Sequence, residues 1–262
     1  MDVFFLLFFA VLGLIIGSFL NVVIFRFNST KSLGGRSQCL TCSRPLLWYD
    51  LIPVFSYVFL RGRCRGCKTR ISMQYPLVEF ATAFLFAGLY WKFNLFFFID
   101  LFHFSFLFTY YAAAFSLLLV ITVYDIRHKI IPDRLSLIFG VLALVGLFFI
   151  KGSFVFLHWP QVSDIVSGLI VSVPFALMWL ISSGRWMGLG DAKLAIGLGL
   201  LLGVSNMLFA TMLAFWFGAL IGLALVGFRK LSGLKSEIPF APFLVAGTII
   251  AFFFGTSINL FF

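Results

Sequence analysis

The sequence predicts an all-α polytopic membrane protein of about eight transmembrane helices, with one polar insert between the first and second helices. Hydrophobic residues fill 62% of the 262 positions and only 11% are charged, and the mean hydropathy of +1.12 excludes a water-soluble globule. A bilayer core takes about 20 apolar residues per helix. Eight apolar runs supply these helices, at residues 3–25, 76–98, 104–124, 135–150, 163–182, 191–204, 207–228 and 240–261.

The first and sixth runs need separate justification. The first begins without basic residues and continues past Gly17 into more apolar residues, so we interpret it as an uncleaved anchor rather than a signal peptide. The sixth, 191–204, is short and contains Gly197, Gly199 and Gly203, which favours a tightly packed or partly embedded helix.

The distribution of positive charge predicts the orientation of these helices. With eight spans the loops alternate between two sides, and of the 19 Lys and Arg residues all but Lys92 and Lys151 belong to one side. Because basic loops stay in the cytoplasm, that side is cytoplasmic and both termini lie outside. Membrane orientation therefore explains the formal charge of +10, and we expect membrane lipid and no nucleic acid as a partner.

The polar insert, residues 28–75, follows a first transmembrane helix at 1–27 and precedes the membrane core at 76–262. It contains all four cysteines, as Cys39-x2-Cys42 and Cys64-x2-Cys67. Cytoplasmic cysteines are reduced, and two CxxC pairs supply the four thiolates of a tetrahedral zinc site. Such a site has no open position, so the zinc would be structural. Four ordinary buried thiols or a redox pair are the alternatives, although the βαβ pattern that accompanies redox CxxC motifs is missing.

Two aspartates, Asp125 and Asp191, stand where apolar runs meet basic segments. Asp125 ends the third run and Asp191 opens the sixth, so both are expected at the cytoplasmic boundary, where they can meet in space. Ionisable residues at membrane depth are costly and by default functional. Two close carboxyl groups would share one proton and act as acid and base. The alternative for either residue alone is a helix cap, which suits Asp191 at the start of a helix.

The residues around both aspartates favour the functional interpretation. Pro132, seven residues after Asp125, would set a rigid turn and begin the next helix. Gly188 and Gly190 precede Asp191, and the absence of side chains there would let the backbone approach a bound extended peptide closely.

Taken together, these motifs resemble the type IV prepilin peptidases, a group of GxGD-type membrane aspartic proteases. The resemblance covers nearly the whole chain. It is carried, in the family's order, by GSFLNVVIFR at 17–26, the paired cysteines, DLIPVFSYVFLRGRCRGC at 50–67, YPLVE at 75–79, YDIRHKIIPD at 124–133, GLGDAKL at 188–194 and IPFAPFL at 238–244.

The resemblance implies that Asp125 and Asp191 are the catalytic dyad of a bacterial inner-membrane enzyme whose active site faces the cytoplasm. It implies that the substrates are type IV prepilins or pseudopilins, cut after a glycine just before their hydrophobic segment. In the branch with the cysteine-bearing insert, it also implies methylation of the new N-terminal residue with S-adenosylmethionine. The motif positions that would support the dyad are Pro132, Gly188, Gly190 and Lys193.

Other acidic residues are candidates for contact with substrate. Leaders in this family are short and positively charged, so Asp133 and Glu237 are either leader-binding acids or loop acids paired with Arg or Lys. Glu79 lies inside the second apolar run, where it would bind the new amino terminus for methyl transfer or pair with an arginine of the insert. Gln74 stands where many relatives have Arg, and Ala241 where Gly is common; both departures bear on methyl transfer rather than on cleavage.

Two other classes of protein compete with the protease. A proton-coupled transporter also uses intramembrane carboxylates, but here they lie at the membrane edge, with no pair of broken helices at mid-depth. A scaffold held by zinc would need neither Asp125 nor Asp191.

Overall fold

The computed structural model describes residues 2–28, 34–151, 154–227 and 238–258. Helices dominate this part of the chain: α1 Asp2–Arg26, α2 Phe55–Phe59, α3 Gln74–Ile99, α4 Leu101–His128, α5 Asp133–Phe149, α6 Val162–Ser182, α7 Leu189–Gly227 and α8 Ala241–Ile258. A single 3-10 turn, Trp48–Leu51, precedes α2. Two short strands, β1 Ile150–Lys151 and β2 Phe154–Val155, pair antiparallel with Ile150 opposite Val155.

The expected multi-span helical architecture is confirmed, whereas the number of spans stays a prediction. Within the described ranges, five helices are long and apolar enough to cross a membrane, namely α1, α3, α4, α6 and α7, and Ala241–Gly255 is a shorter apolar helix. The runs predicted at 191–204 and 207–228 belong to one element, α7, which is broken at Gly203 with φ 74° and ψ 170°. This left-handed φ is open to glycine without strain, so the chain changes direction there without a polar loop.

The chain divides into two compact units, residues 1–120 and 121–262. In the first unit, α1 and α3 pack antiparallel through positions spaced four residues apart on each helix: Gly13, Gly17 and Asn21 lie against Ala83, Glu79 and Tyr75. A Cβ on either glycine would come within 2.7 Å of the facing Cα, so small residues are required for this close approach. The side chain of Asn21 donates across the interface to the carbonyl of Tyr75 at 3.1 Å.

In the second unit α7 is the central helix, since α5, α6 and α8 all pack against it. Its first half carries the glycines that the sequence singled out. A Cβ on Gly197 would lie 2.6 Å from the buried ring of Phe139 on α5, and one on Gly199 would lie 2.8 Å from the Cα of Gly168 on α6. The predicted tight packing of this helix is therefore present, and it fixes the segment that begins with Asp191.

Candidate active site and metal centre

Asp125 and Asp191 belong to the same compact unit and are both buried, with 4% and 7% of their surface exposed. Asp125 lies in the last turn of α4, and its carbonyl accepts the backbone N–H of Lys129, which ends the helix in a left-handed conformation with φ 54°. Asp191 lies in the first turn of α7. The two carboxyl groups are close enough for the charge of Asp125 to act on Asp191.

The hydrogen bonds of the two carboxyl groups differ. The backbone N–H of Ala241, the first residue of α8, donates to Oδ2 of Asp125 at 3.3 Å. The carboxyl group of Asp191 is hydrogen-bonded by the backbone of Gly188, while its Oδ1 is buried and has no protein partner in the described chain. A buried carboxyl oxygen without a donor is unfavourable when the group is ionised. Asp191 therefore presents an oxygen that is free to contact a ligand.

The flanking motif residues hold these two segments against each other. Pro132 is the N-cap of α5, as predicted, and its carbonyl accepts the N–H of Ser136. A Cβ on Gly190 would come within 2.9 Å of the Cβ of Ile131, so the close approach at this glycine is made by the protein's own chain. A Cβ on Gly188 would make an ordinary contact with Asp191 at 3.6 Å. Gly190 thus seats the start of α7 on the segment before α5.

The remaining motif residue of this region, Lys193, forms an ion pair with Asp133 at 2.7 Å between Nζ and Oδ1. Both side chains are largely exposed, so the pair contributes little stability. Its effect is to join the first turn of α7 to the first turn of α5. Asp133 thus has a lysine partner, the second of the two roles expected for it, and Glu237 lies outside the described residues.

The four cysteines form two copies of the same turn. Cys39 and Cys64 each accept a hydrogen bond at their carbonyl from the residue four positions on, Ser43 and Lys68, at 2.9 and 3.0 Å. Ser43 and Lys68 both have left-handed backbones, with φ of 54° and 60°. The amides of Cys39 and Cys64 donate in turn to the carbonyls five residues on, at 3.0 and 2.9 Å. Each CxxC pair is therefore presented by a tight backbone loop.

The predicted convergence of the four thiols is confirmed. Their sulfur atoms all lie within 4.8 Å of one another, and the cysteines are not joined as disulfides. The sulfurs of Cys39 and Cys67 are 3.8 Å apart. A tetrahedral zinc ion with Zn–S bonds of about 2.3 Å requires an S···S separation of about 3.8 Å, so the donor set fits a metal of this kind.

The local backbone alters the acidity of these thiols. The Thr69 hydroxyl lies 3.2 Å from the sulfur of Cys67 and, together with the Thr69 amide, lowers the pKa of Cys67 to about 6. The amides of Cys42 and Thr41 lower the pKa of Cys39. For Cys42 the Arg44 amide is the largest single effect and acts in the same direction, but the sulfurs of the other three cysteines and partial desolvation together outweigh it and raise the pKa to about 11. Coordination of all four sulfurs near neutral pH therefore displaces a proton from Cys42.

Glu79, in the first unit, has a backbone partner that neither sequence interpretation anticipated. It is 6% exposed, and its Oε2 accepts the backbone N–H of Val54 at 2.7 Å, with the Ser18 side chain as a further hydrogen-bond partner. Val54 has φ 61° and ψ −51°, a strained conformation for a β-branched residue. Pro53 signals a turn at this point, but a β-branched residue such as Val54 gives no signal of a positive φ. Glu79 clamps it from inside α3.

Comparison with known proteins identifies the family of this chain. The model of the bacterial peptidase A24 N-terminal domain matches residues 11–93, and that of the type IV leader peptidase family matches residues 112–223. The prepilin leader peptidase/N-methyltransferase of Bacillus subtilis (strain 168) is 34% identical over 95% of this chain and 94% of the relative. This chain belongs to the type IV leader peptidase family. No solved structure matches it.

Two further relatives agree with this membership. The prepilin leader peptidase/N-methyltransferases of Pectobacterium carotovorum subsp. carotovorum and Pseudomonas aeruginosa are 34% and 30% identical, each over 95% of this chain and over 91% and 90% of the relative. The family's N-terminal model spans the four cysteines and Glu79, and its peptidase model spans both buried aspartates. The two units thus correspond closely to the two family models, and the five long apolar helices agree with a multi-pass inner-membrane protein.

Proposed function

We propose that this member of the leader peptidase family cleaves the leaders of type IV prepilins and pilin-like precursors, with Asp125 and Asp191 as its catalytic dyad. The observation that carries the proposal is the buried carboxyl pair, assembled from the end of α4 and the start of α7 within one compact unit. The names of the curated relatives supply the substrate class. The excess of basic residues on the loops that flank the dyad favours the cytoplasmic face, with both termini outside.

The two carboxyl groups would divide the work of acid and base. Asp125 receives the N–H at the start of α8, where the helix dipole favours negative charge, and this supports Asp125 as the ionised member. Asp191 has a buried oxygen with no donor, which supports Asp191 as the member that holds the shared proton. Asp125 then takes a proton from the attacking water, while the Asp191 hydroxyl hydrogen-bonds the scissile carbonyl and later transfers its proton to the leaving amine; passage of the proton from Asp125 to Asp191 restores the pair.

The second activity in the relatives' names, N-methylation, would act on the amine that cleavage releases. S-adenosylmethionine is then a second substrate: its methyl group passes from sulfur to the amine nitrogen, which loses a proton. We assign to the four cysteines a structural zinc ion that closes the two CxxC turns on each other. Without that link, an insert of this size has too small a core to hold its shape.

The dyad is tested with three single variants purified in detergent and incubated with a prepilin that carries its leader. Asp125→Asn and Asp191→Asn keep the size of the side chain but lose its proton chemistry, and each should lower the cleavage rate by about 10²- to 10⁴-fold. Asp100→Asn is the matched control, since Asp100 is exposed and caps the start of α4. It should cleave at the wild-type rate.

Cleavage at the wild-type rate by either Asn variant would refute the catalytic role of the two aspartates. Thermal unfolding of all three variants accompanies the assay, so that a loss of cleavage is assigned to chemistry only where the fold is retained.

A further inference from the structure

The polar insert carries an exposed apolar face that the peptidase chemistry leaves unexplained. Four large side chains between residues 48 and 59 are mostly exposed: Trp48 at 76%, Phe55 at 64%, Val58 at 65% and Phe59 at 88%. So many exposed apolar groups in so short a segment mark a surface that meets a membrane or a partner. We refer to these four residues as the apolar face of the insert.

The local fold holds these side chains outward. In α2, Phe55, Val58 and Phe59 are spaced i, i+3 and i+4, so they share one side of the helix. Tyr57 is half-buried, and its hydroxyl contacts the sulfur of Met73 at 2.9 Å, just before α3 begins. This anchor fixes α2 against the start of α3 and leaves the other side of α2 uncovered.

The apolar face also lies beside a membrane helix. Val54 directly precedes α2, and its N–H is held by Glu79, five residues into α3. That distance corresponds to roughly 7.5 Å along the axis, at 1.5 Å per residue. The headgroup layer on each side of a bilayer is roughly 5 to 8 Å thick. Because α3 is one of the helices able to cross a membrane, a start of α3 at the outer edge of the headgroup layer would place α2 at the depth where headgroups meet acyl chains.

A basic cavity follows the apolar face directly in the chain. Its volume is about 470 Å³, and it is lined by Leu60, Arg61, Arg63, Cys64 and Lys68. In the described ranges the side chains of Arg61, Arg63 and Lys68 form no ion pair with a carboxylate. Arg65, by contrast, pairs with Asp50 at 2.9 Å. Cations that directly follow exposed aromatic residues in the chain complement an anionic phospholipid, whose phosphate attracts Arg and Lys and whose acyl boundary accommodates the rings.

We propose that the insert docks on the bilayer that holds α1 and α3, with the apolar face at the acyl boundary and the phosphate of an anionic phospholipid in the basic cavity. This surface goes beyond the proposed peptidase activity and does not depend on it. The insert would then be held at a fixed height above the membrane core by three links: Glu79, the Tyr57 anchor and the lipid.

Trp48 gives a direct test of the apolar face. The full-length protein and its Trp48→Phe variant are reconstituted in vesicles of phosphatidylcholine with phosphatidylglycerol, and the difference between their emission isolates Trp48. Bromine on the upper acyl chain should quench this emission at least twofold, and aqueous iodide should quench it at least threefold less than it quenches a soluble indole. Strong quenching of Trp48 by iodide together with weak quenching by brominated lipid would overturn the proposal. Phe59→Trp in the Trp48→Phe background provides a second reporter with the same expectation.

The basic cavity is tested by charge removal at constant fold. The triple variant Arg61→Gln, Arg63→Gln and Lys68→Gln should show at most half of the wild-type quenching by brominated lipid. A matched control loses the same charge elsewhere in the insert, through Arg36→Gln, Arg44→Gln and Arg70→Gln, and should keep the quenching. Metal content at the wild-type level shows that the insert of each variant is folded.

Three results would refute the lipid assignment. Equal loss of quenching in both triple variants would indicate net charge rather than a headgroup site. Loss of quenching on addition of inorganic phosphate at fixed ionic strength would assign the cavity to a small anion. Shielding of Trp48 from iodide that arises only when a prepilin is added would assign the apolar face to a protein partner.

Discussion

Replacing Glu79 by alanine should release the insert from α3. The carboxylate accepts the Val54 N–H at 2.7 Å in a buried position, and a hydrogen bond to a charged group contributes about 1.5 to 3 kcal/mol. Val54 also stores strain, because a β-branched residue at φ 61° persists only where its surroundings hold it. Without Glu79 the turn keeps the hydrogen bond from the Phe55 N–H to the Pro53 carbonyl at 2.6 Å, but the Val54 N–H loses its carboxylate acceptor. The free energy for opening the segment around Val54 should therefore fall by about 1.5 to 3 kcal/mol, a roughly 10- to 150-fold rise in the open population.

Amide hydrogen exchange in lipid nanodiscs measures this opening. Peptides that cover residues 52–60 should exchange faster by that factor in Glu79→Ala, while peptides from α7 should be unchanged. Glu79→Gln is the matched control, since its amide oxygen can still accept the Val54 N–H as a neutral acceptor and should preserve about 0.5 to 1.5 kcal/mol of the protection.

Unchanged exchange at 52–60 in Glu79→Ala would refute the reasoning, because it would mean that the turn holds itself without the carboxylate. Faster exchange throughout the first unit would refute it differently, by showing that Glu79 supports the α1–α3 pair as a whole rather than the insert turn.

Three further predictions rest on the helix packing and on the cysteine cluster. Gly197→Ala forces a Cβ to within 2.6 Å of the Phe139 ring and should destabilise the fold by about 1 to 3 kcal/mol in detergent unfolding, whereas Gly140→Ala, which meets open space, should be neutral or stabilising by up to about 1 kcal/mol. After chelation, Cys67 should be the first thiol alkylated at pH 7, because its thiolate forms as the pH rises through its pKa of about 6. Mass spectrometry identifies the alkylated cysteine. Alkylation of Cys42 before Cys67 would contradict this order. Replacing Cys39 and Cys64 by Ser should abolish bound zinc and lower methyl transfer before cleavage; unchanged zinc content would reject the metal centre.

Most of the helical architecture could be predicted because apolar length is itself the signal for a membrane helix. The starts and ends of α1, α3 and α6 differ from the predicted runs by three residues or fewer. The predicted break between the runs 191–204 and 207–228 lies close to Gly203, where a glycine with φ 74° interrupts α7. The polar residues Ser205 and Asn206 mark this break in the hydropathy pattern, whereas the pattern does not reveal that the helix resumes at once, without a loop.

The turns that present the four cysteines were predictable for a different reason, because the geometry of each turn is local. Each CxxC pair folds through hydrogen bonds to residues at most five positions away, so spacing alone carries the information. The clamp between Glu79 and Val54 joins residues 25 positions apart through one backbone N–H. A carboxylate that binds a backbone amide leaves no partner side chain in the sequence, and this explains why an arginine or a substrate amine was expected there instead.

Ala241 is a second residue that acts through a backbone N–H. In the sequence it is visible only as a departure from a common glycine. Its side chain has no part in the contact with Asp125; the contact is the N–H that any non-proline residue offers at the start of α8. Substitution of alanine for glycine at this position therefore preserves the donor. The buried carboxyl pair is held by backbone groups of Ala241 and Gly188, both in residues 121–262, whereas the thiols and Glu79 belong to residues 1–120. The contacts described for the carboxyl pair all come from residues 121–262, and those described for the thiols and Glu79 all come from residues 1–120. Substitutions that disrupt the insert and substitutions of the two aspartates should therefore have separate effects, so that one chain can carry out cleavage and methylation in sequence.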